Sequence, residues 1–251
     1  MKDFHDLLLI WGIHPVEEVL RARAENIENV FLLPSFGRKK GQKGLLQKLS
    51  TCGIDVQNVP DFHWLKLPKG AVHQGICAQV RPFWEMGLKD IVEGALISKL
   101  PIVVCDQIED PQNLGAIIRV AVAFDSSGII IPKRQNAPIN GTVVKASSGA
   151  IFHSRICSQN ELIPAIKEMK ERGIVTVGLD ARGKTPIFHL KSRDPVCLVL
   201  GSEARGIRKN IRRMLHFLSN IPINNVLDSL NVSNAAAVAL YELKRRRLLG
   251  R

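Results

Sequence analysis

Three stretches of the chain set polar and glycine residues where a strand would end and a helix begin. The first is DQIEDPQNLGAIIRVAVAFD, residues 106–125. Leu114, Ile117, Ile118, Ala121 and Val122 recur at helical spacing, so a helix is predicted there. Asn113 stands where an N-cap would, Gly115 lets another backbone approach the first turn, and Arg119 lies off the apolar stripe. That position lets the guanidinium project toward the carboxyl end of the preceding strand, where ligands of open parallel sheets bind. A plain cap followed by a surface arginine would give the same pattern. The second stretch is LVLGSEARGIRKN, residues 198–210. An apolar strand runs into Gly201, Ser202 and Glu203, then Gly206 and a basic helix. The glycines expose backbone N–H groups, and Glu203 is either a fixed carboxylate at the same edge or only a helix cap. The third is IPINNVLDSLNVSNAAAVALYELKRRR, in which Ile221 to Ile223 read as a strand end. Ser229, Asn231, Ser233 and Asn234 crowd the loop, with Leu230 and Val232 between them, and Ala235, Ala236, Ala237 and Ala239 give the next helix a face for close packing. Each loop is ambiguous alone. Three of them ending strands of one sheet point to a ligand site.

The elements that must position these loops read as an α/β protein. Short apolar runs at residues 101–105, 128–132, 174–178 and 196–201 alternate with helical patterns, as in a parallel sheet covered on both faces. Residues 1–82 read as a separate, smaller α/β unit. Its expected helix spans residues 15–24, opening at Pro15 with Glu17 and Glu18 in the first turn. Extended segments are expected at 29–34, 54–59 and 76–80, and a second helix at 45–52. The polar loop SFGRKKGQKG carries Arg38, Lys39, Lys40 and Lys43, either as a mobile phosphate-gripping arm or as an ordinary solvated loop. Residues 83–98, with Trp84, read as a linker containing one short helix, and residues 99–251 as the larger domain.

Composition limits what these units do. Of 251 residues, 45% are hydrophobic but only 5% aromatic, so the cores must be built from Val, Ile, Leu and Ala. No apolar run approaches the roughly 18 residues that span a bilayer. Asp3 and Asp6 stand where a signal peptide wants positive charge, so the start reads as a buried first strand and the protein as cytoplasmic. Cys52, Cys77, Cys105, Cys157 and Cys197 are odd in number, scattered and never spaced as CxxC. They read as reduced thiols, with no metal site expected. A net charge of +12 points to a polyanionic partner. Residues 1–82 carry 11 Lys+Arg against 8 Asp+Glu, net +3; the remainder carries 24 against 15, net +9. The excess gathers at Arg205, Arg208, Lys209, Arg212 and Arg213 and at Lys244, Arg245, Arg246 and Arg247. Such clusters neutralise phosphates, although the second also fits a solvated helix end.

A competing motif lies at residues 178–185, where GLDARGKT matches GxxxxGK[ST], the phosphate loop of nucleotide hydrolases. That loop must open a helix whose N–H groups face the phosphates. Pro186 follows at once, and only about ten residues remain before the next strand, so the motif is set aside.

Taken in order, N-x-G-x-x-x-R (Asn113, Gly115, Arg119), LGSEARG and IPI…SLNVSNAAA resemble the three motifs of the SpoU/TrmH branch of the SPOUT methyltransferases, which are RNA ribose 2′-O-methyltransferases. The likeness runs over residues 101–247. The N-terminal part, WGIHPVEEVL through GAVHQGICAQV, is similar to the ribosomal-protein-like substrate-binding domain of the RlmB subgroup, which methylates a guanosine of 23S rRNA. The resemblance implies a C-terminal parallel sheet tied in a trefoil knot, against the usual topological rule. It also implies S-adenosylmethionine as cofactor, ribosomal RNA as partner, and a homodimer with its active site at the interface. Cofactor contacts would fall to Gly178, Leu179, Leu200, Gly201, Ile221 and Leu230. Arg119 would be central to catalysis, with Asn113, Glu203, Ser229 and Asn231 around it. A guanidinium, with a pKa above about 12, is a poor base. Arg119 is therefore expected to clamp the target phosphate and stabilise a developing alkoxide, with Glu203 orienting it. A tRNA ribose methyltransferase and a non-catalytic RNA-binding protein are the other readings. The N-terminal domain favours rRNA, since tRNA-directed relatives usually lack it.

Overall fold

The computed structural model describes residues 7–38, 40–190, 194–224 and 226–250, with the backbone alone at Lys40. The expectations for Asp3, Asp6 and the side chains of Lys39 and Lys40 lie outside the described residues. The chain divides into two compact units, Met1–Trp84 with Ile139–His153, and Glu85–Pro138 with Ser154–Arg251. In chain order the first elements are β1 (Leu8–Trp11), α1 (Ile13–Arg23), β2 (Ile27–Leu32), α2 (Lys40–Thr51), β3 (Val56–Asn58) and β4 (Ile76–Val80). Then come α3 (Leu88–Ser98), β5 (Ile102–Asp106), α4 (Pro111–Ala123), β6 (Gly128–Pro132), α5 (Gly141–Ala146), β7 (Ile156–Gln159) and α6 (Leu162–Glu171). The last are β8 (Val175–Leu179), β9 (Thr185–Pro186), β10 (Val196–Gly201), α7 (Lys209–Arg212), β11 (Phe217–Asn220) and α8 (Val232–Leu248).

The first unit holds a four-stranded sheet, order β1-β4-β2-β3, with β4 antiparallel to β1 and β2 and β3 parallel to β2. Ile10, Val16, Val19, Val30, Leu45, Leu49 and Ile76 form its buried interior. Helix α1 starts two residues before Pro15, after Gly12 at φ +93°, so Glu17 and Glu18 fall past the first turn. Pro15 is tolerated there because first-turn N–H groups have no acceptor in the helix. Glu18 instead pairs with Arg21 at 2.7 Å and lies 2.8 Å from His153 Nε2. Helix α2 starts five residues earlier than expected, which puts Lys43 on a helix and not in a loop. Gly41 and Gly44 each weaken a helix by about 1 kcal/mol, and burial of Leu45 and Leu49 offsets that cost. Helix α5 belongs to this unit, with Gly141 set so close to Trp11 and the Leu9 carbonyl that a Cβ there would clash. Trp84 is buried, its ring tilted against Phe83 and Phe152.

The second unit is built on seven parallel strands, order β7-β6-β5-β10-β8-β11-β9. Every residue of β5, β6 and β10 is buried, which is why those segments read as unbroken apolar runs. Residues 83–98, expected as a linker, carry α3, and its Ile91, Val92 and Ala95 are core residues packed with Ile102, Val104 and Ile130. Helix α8 lies along α4, with Ala236 and Ala239 fully buried. The register decides where a site can form. Gly201 pairs with Asp106, Leu200 with Leu179, and Leu179 with Ser219. The carboxyl ends of β5, β10, β8 and β11 therefore stop at one level, and their following loops emerge together. Among the described residues, no helix is long and apolar enough to cross a membrane.

The thiols follow this burial. Cys77 and Cys105 are pushed up to about 12 by desolvation, and burial also raises Cys157 and Cys197, whereas Cys52 is exposed. Iodoacetamide at pH 8 should add a single label, at Cys52, to the native protein, and five after guanidinium unfolding. Intact-mass measurement checks this; rapid native labelling of Cys105 or Cys197 would mean that the parallel sheet opens.

Candidate active site

The three loops are tied to one another by side chains at their roots. Strand β5 ends at Asp106, which is fully buried. Its carboxylate accepts from the Arg208 backbone N–H at 2.8 Å and from Arg208 Nε at 2.7 Å. This fastens the end of the second loop to the base of the first.

The N-cap of α4 is Asp110, whose side chain accepts from Gln112 N at 2.9 Å, with Pro111 as first helical residue. Asn113 is thus one turn inside the helix and not its cap, a correction to the expected role. The Asp-Pro pair is the stronger start signal, since proline fits N1 and aspartate caps well. Relieved of capping, Asn113 donates from Nδ2 to Glu203 Oε1 at 3.1 Å and accepts at Oδ1 from Asn231 Nδ2 at 2.9 Å.

After Gly201 the second loop turns back on itself. Gly206 N donates to Ser202 O at 2.8 Å, and Arg205 N to Ser202 Oγ at 3.1 Å. A Cβ on Gly201 would fall onto the backbone of Gly206 and Ile207, and Gly206 sits at φ +66°. Glu203 does not cap the helix that follows it. Its Oε1 accepts from Asn113 Nδ2, from Asn231 Nδ2 and, at 3.3 Å, from Val232 N, the first residue of α8. The carboxylate therefore sits at the positive end of another helix. Asn231 is that helix's N-cap, accepting at Oδ1 from Ser233 N at 2.9 Å and Asn234 N at 3.4 Å. One amide thus caps with its oxygen and bridges to the other loops with its nitrogen.

Beside this junction lies a cleft of about 400 Å³. Leu179, Leu200, Gly201, Ile221 and Leu230 line it, together with Glu203 and Ser229. Gly178 does not. The place of its missing side chain is filled by Leu215, Ile207 and Leu218, so this glycine serves packing. Arg119 is exposed on α4, six residues beyond Asn113 and so about 9 Å further along the helix, and is not part of the cleft wall. Asp180, Arg182 and Arg205 are wall residues that sequence reasoning passed over. Asp180 accepts from Arg182 N at 2.9 Å and pairs with Arg212 at 3.3 Å. The available signal was the acid–base alternation of GLDARGK and SEARGIR at two strand ends.

GLDARGKT opens no helix. It runs into the two-residue strand β9, parallel to β11, and Gly183 is required where the chain crosses the backbone of residues 218–220. The basic clusters are in large part structural. Arg205 pairs with Glu109, Arg208 with Asp106, Arg212 with Asp180, Arg245 with Glu242, and Lys244 and Arg247 with Asp125.

The profile of the SpoU rRNA Methylase family matches residues 101–241, and that for RNA 2′-O ribose methyltransferase substrate binding matches residues 9–85. A putative TrmH family tRNA/rRNA methyltransferase of Bacillus subtilis is 36% identical over 211 residues, 83% of this chain and 84% of that protein. The SpoU methyltransferase AviRb of Streptomyces viridochromogenes, solved with AdoMet, superposes with a TM-score of 0.80 at 24% identity, covering 98% of this chain and 92% of that one. A structure described by the 2-OH methylation of C/U34 on tRNA gives a TM-score of 0.54 at 25% identity, covering 61% of this chain and 98% of that one.

The two glycines of the second loop should respond differently to alanine. Gly206→Ala meets open space and carries only its positive-φ strain, about 1 kcal/mol. Gly201→Ala drives a methyl into backbone that cannot rotate away and should cost about 3 kcal/mol or more. Urea unfolding of the two variants checks the order.

Proposed function

The chain belongs to the SpoU rRNA methylase family of RNA methyltransferases, and on that premise we propose that it transfers a methyl group from S-adenosylmethionine to the ribose 2′-hydroxyl of a guanosine in 23S rRNA. The observation that carries this reading is the cleft and its rim. Three loops from neighbouring parallel strands meet at one carboxylate, beside a cavity of about 400 Å³, well within the range of small-molecule sites.

The residues present fit the cofactor. Leu179, Leu200, Ile221 and Leu230 offer apolar walls for a purine, and the glycine turn at Gly201 brings backbone close to the cavity. When bound, S-adenosylmethionine supplies an electrophilic methyl on a sulfonium. The chain's part is to hold a hydroxyl in line with it and to steady the charge that develops on oxygen. Asn113, Asn231 and Glu203 form a rigid polar rim, and Ser229 adds a hydroxyl to the wall. Arg119 binds a phosphate of the target strand and stabilises the developing alkoxide, and is not the base.

Ribosomal RNA is favoured over tRNA by the substrate-binding domain at residues 9–85. The structure described by tRNA methylation leaves more than a third of this chain without a counterpart. Exposed Val238 and Tyr241 on α8 support a homodimer. Contacts of α8 with α4, β10 and the turn Ile187–His189 support a C-terminal segment threaded as a knot. A cytoplasmic location follows from an rRNA substrate.

Calorimetry should show binding of S-adenosylmethionine without metal, and Lys184→Ala should leave it unchanged; ATP turnover would contradict the assignment. Arg119→Ala should lower methyl transfer to rRNA at least about 100-fold with cofactor binding and folding intact. Asn231→Asp keeps the α8 cap but replaces the donor to Glu203 with a second carboxylate. It should therefore abolish methylation and, through repulsion between the two carboxylates, cost more stability than Asn231→Ala, which forfeits about 1 kcal/mol of capping; urea unfolding of the two variants checks the order. Near-normal turnover in the Arg119 variant would sink the mechanism. Ribose-methylation mapping in a strain lacking the gene identifies the nucleotide.

A further inference from the structure

The first unit has a cavity that the methyl-transfer site does not use. Because β2 and β3 run parallel and β4 runs against both, Leu32, Asn58 and Ile76 lie at the same end of the four-stranded sheet. The segments that follow Leu32, follow Asn58 and precede Ile76 therefore meet there. Between them is a pocket of about 320 Å³ walled by Leu33, Phe62, His63, Lys66 and His73.

Its chemistry is unusual for this chain. Trp11 and Trp84 are 6% and 7% exposed, whereas Trp64, on the 3₁₀ turn that supplies His63, is 53% exposed. The indole meets Phe31 edge-on, with centroids 4.9 Å apart, so its position is fixed while about half of its surface remains in water. Phe62 and His73 make a second edge-on pair at 5.0 Å inside the pocket. Lys66 lines the pocket, Lys69 follows it on the same segment, and Arg38 lies on the loop that leaves Leu32 at the same end of the sheet. Asp61 is the one carboxylate on the wall, and its Oδ1 is held by the His63 backbone N–H at 2.9 Å. Lys66, on the wall, and Gln74, next to the wall residue His73, both adopt left-handed backbone, φ 50° and 56°. Non-glycine residues held so are a cost that folds retain where a loop must present a particular shape.

We propose that this end of the first unit is a binding site for an unpaired nucleobase of the RNA substrate, which stacks on Trp64 while Lys66, Lys69 and Arg38 engage its flanking phosphates. The proposal rests on the RNA-methyltransferase reading and deepens it by naming the structural feature that is recognised. Stacking on an exposed aromatic requires an unstacked base, which a continuous A-form helix does not offer and a loop or bulge does. Phosphate contacts alone would bind any RNA; a base stacked on a ring whose position is fixed adds the discrimination that positioning one ribose demands.

The test uses the full-length protein, an RNA hairpin with an unpaired loop, and a fully paired duplex of equal length. Hairpin titration should quench tryptophan emission in the wild type, and the quench should vanish in Trp64→Phe, because the remaining tryptophans are buried. Trp64→Ala should weaken hairpin binding at least about fivefold and leave duplex binding unchanged, while Trp64→Phe retains most of the affinity through its own ring face. The Lys66→Ala/Lys69→Ala pair should reduce the salt dependence of log K by about one to two. S-adenosylmethionine affinity should be the same in every variant, and an unchanged urea midpoint excludes misfolding of the first unit. Equal hairpin binding by Trp64→Ala and wild type, or equal losses for hairpin and duplex, overturns the site. Protection of Trp64 by ribosomal proteins but not by naked RNA overturns it as well. Either result leaves the methyltransferase reading standing, whereas failure of the wild type to methylate any RNA removes that reading itself.

Discussion

Everything at the candidate active site depends on one carboxylate oxygen. Parallel strands end in loops whose backbone groups no longer have a ladder to satisfy them, and such loops would ordinarily move independently. Here Glu203 Oε1 gathers Asn113 from the first loop, Asn231 from the third, and the leading N–H of α8. A charged acceptor is suited to this, since charge-assisted hydrogen bonds are roughly twice as strong as neutral ones. The carboxylate also lies where the α8 dipole favours negative charge. Beneath it, the buried Asp106 holds Arg208 through backbone and side chain, so the second loop is pinned at its far end too. Breaking a buried pair strands a charge, which makes that anchor stiff.

The cleft follows from close approach of backbones. Gly201 and Gly183 sit where chain crosses chain with no room for a side chain, and Ala236 and Ala239 let α8 lie against α4. Small residues thus bring the strand ends and the last helix near enough for Glu203 to reach across. The apolar cleft wall and polar rim are two sides of the same compression.

Charge has a double use in this protein. The formal +12 suggests a surface waiting for phosphate, yet Arg205, Arg208, Arg212, Lys244, Arg245 and Arg247 are each held by a carboxylate. Those on the protein surface are weakly bound and can exchange partners with an incoming phosphate at little cost. Arg208, pinned by the buried Asp106, and Arg212, pinned by the largely covered carboxylate of Asp180, are structural. The first unit has a milder charge, but strand direction brings the segments that carry Arg38, Trp64, Lys66 and Lys69 to one end of its sheet.

The sequence by itself determined the periodicities and hence the elements. Unbroken apolar runs at β5, β6 and β10 could only be strands covered on both faces, and Pro186 after GLDARGKT excluded a phosphate loop. The motif residues Asn113, Glu203 and Asn231 were legible as a set, because polar residues at three strand ends have no packing reason to be there. Tertiary structure decided what each one does. Asp110, not Asn113, caps α4, and Glu203 serves a helix 29 residues away in sequence. Local propensity ranks candidate caps but cannot say which groups another loop will bring within reach. The same limit explains the first turn of α2, which Gly41 and Gly44 hid although the helix around Leu45 and Leu49 was legible, and α3, a helix expected within a linker that is packed into the core. Burial energy comes from partners distant in the chain, and spacing within a segment does not encode those partners.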